Sequence, residues 1–149
     1  MNRYVSLLLM FLSAFCLSAC HTSKSYTYRI ENGEMIEVEL DTSDGYDLTQ
    51  ENGRFAVEKS DETILQGYFL TEDGLREKET LILSSKDVEI KRKSEHPKLY
   101  VYQYDGEAGL ETDFLLQVEK AKTGVIIGSL HSFEEAEAAF ENMSFLKEE

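Results

Sequence analysis

The sequence has little cysteine, proline or basic charge. Of its 149 residues two are Cys, one is Pro and none is Trp, and 15 Lys and Arg stand against 29 Asp and Glu, a formal net charge of −14 at pH 7. The two cysteines are Cys16 and Cys20, so the chain beyond residue 20 has no pair that could form a disulfide. Because so acidic a surface repels nucleic acid and anionic lipid headgroups, we expect no nucleic-acid partner.

Motifs typical of catalysis are also missing. The three histidines, His21, His96 and His131, have no second His or Cys at the spacing of a zinc site. The sequence contains neither a Gly-rich phosphate loop nor the nucleophile elbow of a Ser hydrolase. We therefore predict that the protein is not an enzyme and uses no cofactor.

The N-terminus is what the sequence defines best. After Arg3, residues 4–17 are nearly all apolar, in the length and order of a secretory signal, and they are too few to span comfortably the ~30 Å core of a bilayer. The run closes on Leu17-Ser18-Ala19-Cys20, which resembles the lipobox of bacterial lipoproteins. The alternatives are an uncleaved anchor helix, or a cut elsewhere that leaves a free thiol.

The lipobox resemblance implies that residues 1–19 are a signal peptide and that Cys20 carries a thioether-linked diacylglycerol. The protein would then be anchored to the extracytoplasmic face of a bacterial membrane. Each buried methylene of such an anchor adds about 0.8 kcal/mol of membrane affinity, so two or more chains hold far longer than one. We expect residues 20–25 to be the lipidated Cys and a short tether, and residues 26–149 to be a single domain.

Two Asn-Gly pairs predict hairpins at the start of this domain. In residues 26–40, a three-residue loop with Gly33 in a left-handed conformation pairs Tyr28 with Ile36 and keeps the apolar residues on one face. A two-residue turn at 52–53 does the same for the next hairpin. Both loops therefore predict antiparallel strands.

Further apolar runs predict strands, and one segment near the C-terminus predicts a helix. The strand candidates are residues 63–71, 81–83, 88–92, 99–104, 114–119 and 125–130. Asp73-Gly74 is expected to end the first of these strands, and residues 75–78 fit either a helical turn or a loop. Ser132 and Glu135 form a capping box ahead of an apolar stripe at helical spacing, so a helix is predicted over 133–142, with a last short strand or clamp at 145–146. The predicted fold is α+β: a meander-type antiparallel sheet of about six to eight strands with one C-terminal helix on one face.

The order of these elements resembles that of the small PsbP-like domains. The resemblance covers residues 35–147 and rests on Gly45-Tyr46-Asp47-Leu48, the following hairpin and the capped C-terminal helix, although PsbP-like domains often have Pro and Trp where Tyr46 stands. The fold occurs in many short bacterial lipoproteins. It implies a binding or assembly module with no shared catalytic residues.

Three alternating tyrosines are the main candidate for a contact surface. Tyr100, Tyr102 and Tyr104 lie on one face of a predicted strand, where exposed rings would bind a sugar, a peptide or a partner protein. The alternative is that the rings form the rim of the core, with their hydroxyls reaching water. The cluster Lys86, Lys91, Arg92, Lys93 and Lys98 fits either an anionic docking site or, as we favour, a solvated strand edge.

The segment 41–47 is the best metal candidate. Asp41, Asp44 and Asp47 surround Gly45 and could offer oxygens to Ca²⁺, but the spacing is not that of an EF-hand, and a solvated turn uses the same residues. We predict a turn and no resident metal. From the sequence we thus expect a membrane-anchored module that binds a protein or envelope component, the alternative being a sensor or carrier of a small ligand or Ca²⁺.

Overall fold

The computed structural model describes residues 22–149, and the signal and lipobox positions lie outside them. This part of the chain forms ten strands and two helices, an α+β class. The strands are β1 (Ser23–Arg29), β2 (Met35–Asp41), β3 (Tyr46–Glu51), β4 (Arg54–Lys59), β5 (Glu62–Leu70), β6 (Glu89–Glu95), β7 (Lys98–Gly106), β8 (Gly109–Gln117), β9 (Gly124–Ser129) and β10 (Met143–Lys147), and the helices are α1 (Glu72–Ser84) and α2 (Phe133–Glu141).

The strands form two antiparallel sheets where the sequence predicted one. The larger sheet has seven strands in the order β3-β4-β5-β9-β8-β7-β6, so two meanders, β3–β5 and β6–β9, meet where β5 pairs with β9. The smaller sheet has the order β1-β2-β10. The antiparallel prediction is confirmed. The prediction of one sheet is wrong, because β1, β2 and β10 form a separate sheet that packs against the larger one.

Both predicted hairpin registers are confirmed. In the first, Tyr28 pairs with Ile36 and the loop closes by a bond from the Ile30 amide to the Glu34 carbonyl oxygen (2.8 Å), with Gly33 at φ +88°. In the second, Leu48 pairs with Val57 across a two-residue turn. One boundary differs: β1 begins at Ser23, so the last part of the predicted tether is already strand.

Helix α1 was not predicted, and the single-helix expectation is wrong for the described residues. The Thr71 hydroxyl accepts a hydrogen bond from the Gly74 amide (3.2 Å) and caps the helix, so Asp73-Gly74, which we expected to end a strand, lies in its first turn. The apolar run 81–83, predicted as a strand, lies in its last turns. A Gly near a helix start and a short Leu-Ile-Leu run are ambiguous locally, and tertiary packing decides them.

The seven-stranded sheet is the middle of three layers. One face carries the three-stranded sheet and α2 over the main core, where the Phe114 and Phe140 rings stack at 4.3 Å and Phe55 lies among Tyr28, Phe69 and Phe145. The opposite face carries α1 alone. The capping box at Ser132 and Glu135 is present as predicted. A single helix of 13 residues is too short to cover seven strands, so part of this face stays open.

Candidate functional site

The open part of the sheet is defined by where α1 packs. Leu75 and Ile82 of α1 are buried against Tyr100, Leu115 and Ile126, which belong to β7, β8 and β9. Strands β3 and β4, at the other end of the sheet, contribute no residue to this second apolar cluster. The helix therefore covers the β7–β9 half and the end of β5 at Leu70, and it leaves β3, β4 and the rest of β5 free of a second layer.

This free half forms a wide groove with a volume of about 1360 Å³. Its open strands contribute Thr49, Arg54, Ala56, Glu58, Gln66 and Tyr68, and the side next to α1 contributes Lys78, Tyr104, Glu111, Asp113, Ile126 and Gly128. Tyr68 is 38% exposed, and the Arg54 guanidinium lies over its ring at 5.5 Å. The lining mixes charge, hydroxyls and aromatic rings, which suits a polar ligand with an apolar part.

A smaller recess of about 340 Å³ adjoins the groove at Arg54 and Tyr68. One of its walls is Tyr28, whose hydroxyl is buried and has no hydrogen-bond partner among the described residues. Burial raises the pKa of the Tyr28 hydroxyl to about 12, so this group is a neutral donor at physiological pH. The recess extends the same surface along the ends of β4 and β5.

Two acidic residues of β8 occupy the groove floor beside α1. Glu111 and Asp113 alternate with buried residues and so lie on the same face of β8 as Leu115. The strand pairing sets Glu111 opposite Tyr104 and Asp113 opposite both Tyr102 on β7 and Gly128 on β9. Antiparallel pairing thus brings two carboxylates and two tyrosines into one patch.

Asp113 is the most perturbed carboxylate of this patch. Its side chain is only 5% exposed; Oδ2 accepts a hydrogen bond from the Tyr102 hydroxyl (3.0 Å), and Oδ1 has no partner among the described residues. Burial, followed by the charge of Glu111, raises the pKa of Asp113 to about 7. An unsatisfied buried acceptor costs about 1–3 kcal/mol, and such groups concentrate at functional sites.

Gly128 provides the space into which both carboxylates point. A Cβ on this residue would lie 2.9 Å from Glu111 Oε1 and 3.0 Å from Asp113 Oδ1. The two carboxylate oxygens therefore occupy the space that a side chain at this position would need, and any side chain here would collide with them. Glycine lets both carboxylates lie close to the backbone of β9.

The tyrosines and a lysine complete the surroundings of the acid pair. The Tyr102 and Tyr104 rings stack with centroids 6.1 Å apart, and burial, with the charge of Asp113 next, raises the pKa of both hydroxyls. Lys78 of α1 lowers the pKa of Asp113 through its charge. In the described part of the chain, however, no ion pair within 4 Å joins Lys78 to Glu111 or Asp113.

The tyrosine row, for which the sequence left an exposed surface and a core rim open, is largely buried. Tyr100 and Tyr102 are 1% and 5% exposed, because α1 lies over them, and Tyr104 is half-buried at the groove wall. The Tyr100 hydroxyl donates to Glu79 of α1 (2.7 Å), which also holds Lys98 at 3.0 Å. The three residues share a face, as predicted, but that face packs against a helix that the sequence analysis had missed.

The three aspartates of 41–47 are not brought together as a metal site. Among residues 22–149, no group of three or more His, Cys, Asp and Glu side chains could hold a metal ion. The Asp41 carboxylate accepts the Ser43 amide (2.9 Å), as in a turn, and Asp47 pairs with Lys24 (2.8 Å), which lowers the pKa of Asp47. No described contact draws Asp44 toward the other two.

Three residues of the basic cluster, Lys91, Arg92 and Lys93, lie on β6, the outermost strand of the large sheet, as the strand-edge interpretation predicted. Lys86 precedes this strand, and Lys98 begins β7. Several charges of the cluster are paired: Lys91 with Glu89, Lys93 with Glu95, and Arg92 with Glu137 of α2. These side chains shield the edge from pairing with another chain.

Cys20 and the lipobox residues Leu17, Ser18 and Ala19 lie outside the described residues. From residue 22 onward, neither helix combines the length and hydropathy needed to cross a bilayer. In comparisons with known proteins, no protein family, no curated protein and no solved structure matches this chain.

The sequence analysis missed the acid pair because it began the strand at Phe114. One signal was available: the alternation that places Leu115 on one face continues backwards through Asp113 to Glu111. An acidic residue in an otherwise buried pattern is informative, since buried charges are rare without a role.

Proposed function

We propose that this chain is a lipid-anchored extracytoplasmic domain that binds a protein or envelope component and catalyses no reaction. The signal-like N-terminus ending at Leu17-Ser18-Ala19-Cys20 supports the anchor. Because β1 begins at Ser23, only two residues would separate Cys20 from the first strand, a span of about 10 Å, and the domain would lie directly against the bilayer.

The half-covered sheet is the observation that carries the binding proposal. A sheet face that one helix covers only in part presents three adjacent strands, β3–β5, to solvent beside a wall of mixed polarity. Strands spaced about 4.8 Å apart make this a flat floor wide enough for an extended peptide or a sugar chain. Tyr68 and Arg54, where the groove meets the smaller recess, are residue types enriched at interfaces.

The resemblance to PsbP-like domains belongs to this proposal. An antiparallel sheet with the capped helix α2 on one face supports it, and its implication of a non-catalytic binding or assembly module agrees with the groove. His131, which lines the groove, has its Nε2 3.0 Å from the Thr63 carbonyl oxygen and is not paired with a nucleophile in the described residues.

A second candidate is a carrier or sensor of a small ligand. The unpaired oxygen of the buried Asp113 favours it, because such an atom is satisfied when a ligand donates a hydrogen bond. Both candidate functions use the groove. They differ in the ligand, which is a protein or envelope component in the first and a small molecule in the second.

The anchor is tested by metabolic labelling with an alkyne fatty acid. The wild-type protein takes up label and sediments with membranes, and the Cys20→Ser variant does neither. Label retained by that variant would refute lipidation at Cys20.

The groove is tested by filling it. Ala56, half-buried in the middle of the open strands, is replaced by Trp, and the matched control is Ser25→Trp on the outer face of the small sheet. After cross-linking in native membranes, the wild type and the control retain a stoichiometric component that Ala56→Trp loses. If Ala56→Trp is folded by circular dichroism and retains the component equally, the open face is not the binding surface.

A further inference from the structure

We propose that the Glu111–Asp113 end of the groove binds a primary ammonium group of the ligand. This inference rests on the proposed function and names the chemistry that the groove recognises. It follows from two features of the patch: a buried acceptor that lacks a donor, and the aromatic rings beside it.

Hydrogen-bonding capacity is the first feature. Asp113 Oδ1 is buried with no donor in the described part of the chain, and Glu111, which accepts a hydrogen bond from the Tyr104 hydroxyl, lies beside it. Two carboxylates are both acceptors, so Asp113 and Glu111 can hydrogen-bond to each other only when a proton lies between them, a contact that adds to the raised pKa of Asp113. An ammonium group has three N–H donors and a positive charge, and it satisfies both carboxylates at once.

The aromatic surroundings are the second feature. Tyr102 and Tyr104 stand beside the pair on β7, and Tyr68 of β5 is close enough to act on the pKa of both hydroxyls. The faces of aromatic rings attract cations, and the combination of rings with carboxylates is selective for organic cations. The alkyl stem attached to the ammonium would lie on the Tyr104 and Tyr68 rings, which line the groove, and would point toward its open half.

Other ligands fit less well. An anion would meet two carboxylates. A Ca²⁺ ion takes six to eight oxygens, whereas this patch supplies two carboxylates, and no metal-ligating group of three is present in residues 22–149. Lys78 acts on Asp113 through its charge, but it forms no ion pair with either carboxylate within the described residues, so the two carboxylates have no cation of the protein bound to them there.

Binding is coupled to a proton. The pKa of the buried Asp113 carboxyl is near 7. The titratable groups that face this carboxyl are Glu111 on its own strand, Tyr102 and Tyr104 on β7, and Lys78 on α1. An ammonium group requires the charged carboxylate and displaces the proton. Its affinity should be about 25-fold weaker at pH 5.5 than at pH 7.5.

The experiment uses the full protein, ¹⁵N-labelled and held in maltoside micelles. n-Butylammonium chloride is titrated at constant ionic strength, with n-butanol and sodium butyrate as neutral and anionic probes of the same size. The expected result is saturable amide shifts at Asp113 and Gly128 with butylammonium alone, with a millimolar dissociation constant because so small a ligand buries little surface. Nα-Acetyllysine amide and ethanolamine then distinguish a protein side chain from a headgroup as the source of the ammonium.

The decisive variant is Asp113→Asn, which keeps the volume and the acceptor for Tyr102 but removes the charge. It should lose the shifts, whereas the exposed control Glu107→Gln should retain them. Equal butylammonium binding by Asp113→Asn, equal shifts from butanol or butyrate, or no saturable shift at all would overturn the inference. In any of these cases, loss of the cross-linked component in Ala56→Trp would still uphold the groove as the binding surface.

Discussion

The buried Asp113 should make the stability of this protein fall as the pH rises, and Asp113→Asn should remove that fall. Burial raises the pKa of this carboxyl from an unfolded value of 3.8 to about 7. Between these values the folded protein holds a proton that the unfolded chain releases. The stability from this proton is complete below pH 4 and is lost as the pH rises through 7.

The size of the effect follows from the two pKa values. Their difference corresponds to about 4 kcal/mol of unfolding free energy, of which about 3 kcal/mol is lost between pH 4.5 and pH 8. Asp113 is only 5% exposed, so solvent does little to weaken the interactions that raise its pKa, and the free-energy difference is not reduced by screening. Asparagine is neutral at every pH, still accepts from Tyr102, and can donate to Glu111.

Urea unfolding followed by circular dichroism measures this difference for the two proteins side by side. Effects of other groups, Glu34 included, are common to both and cancel. The free energy of unfolding of Asp113→Asn, relative to that of the wild type, should rise by about 3 kcal/mol when the pH is raised from 4.5 to 8. A difference that does not change with pH would show that Asp113 is ionised in the folded protein, and the account of the acid pair would be wrong.

Two further perturbations test the fold around the groove. Glu34 accepts hydrogen bonds from Thr123 (2.7 Å), Lys147 (3.0 Å) and the Lys122 amide (3.1 Å); burial acts against its charge, but these bonds outweigh it and lower the pKa to about 2. Glu34→Gln should lower the free energy of unfolding by about 1–3 kcal/mol at pH 7, as measured by urea unfolding. This loss should shrink as the pH falls from 4.5 toward 2, because the Glu34 carboxylate of the wild type is then protonated. The exposed control Glu31→Gln should change the free energy of unfolding by less than about 0.5 kcal/mol. At Gly67 a Cβ would lie 2.2 Å from the Phe55 ring, so Gly67→Ala should lower the melting temperature by overpacking worth about 1–3 kcal/mol, and Phe55→Leu should recover part of it. An unchanged melting temperature in Gly67→Ala would contradict the packing of these two strands.

Local chemistry made parts of the fold predictable. The pairing of Tyr28 with Ile36 followed from the Asn-Gly loop and the need to keep apolar residues on one face. The start of α2 followed from the capping box at Ser132 and Glu135. In both cases a few neighbouring residues specify the conformation, and the tertiary structure agrees with them.

What the sequence did not reveal depends on contacts between distant segments. Helix α1 is stabilised by burying Leu75 and Ile82 on strands that follow it in the chain, while Leu81 and Leu83, which suggested a strand, are exposed. Without α1, the sequence could not show whether Tyr100 is exposed or buried. The acid pair becomes visible only when β8 is aligned with both of its neighbours, because Glu111 and Asp113 alone resemble ordinary surface charges.

The most direct test of the central claim is site-specific photo-cross-linking in living cells. A photoreactive amino acid at Gln66, exposed on β5 in the open half of the sheet, is compared with one at Ser25 on the outer face of the small sheet. If the open face is the binding surface, Gln66 gives a discrete adduct and Ser25 does not, and adding Ala56→Trp to the Gln66 protein abolishes the adduct. An adduct from Ser25 alone would contradict the account and place the binding surface on the other side of the molecule.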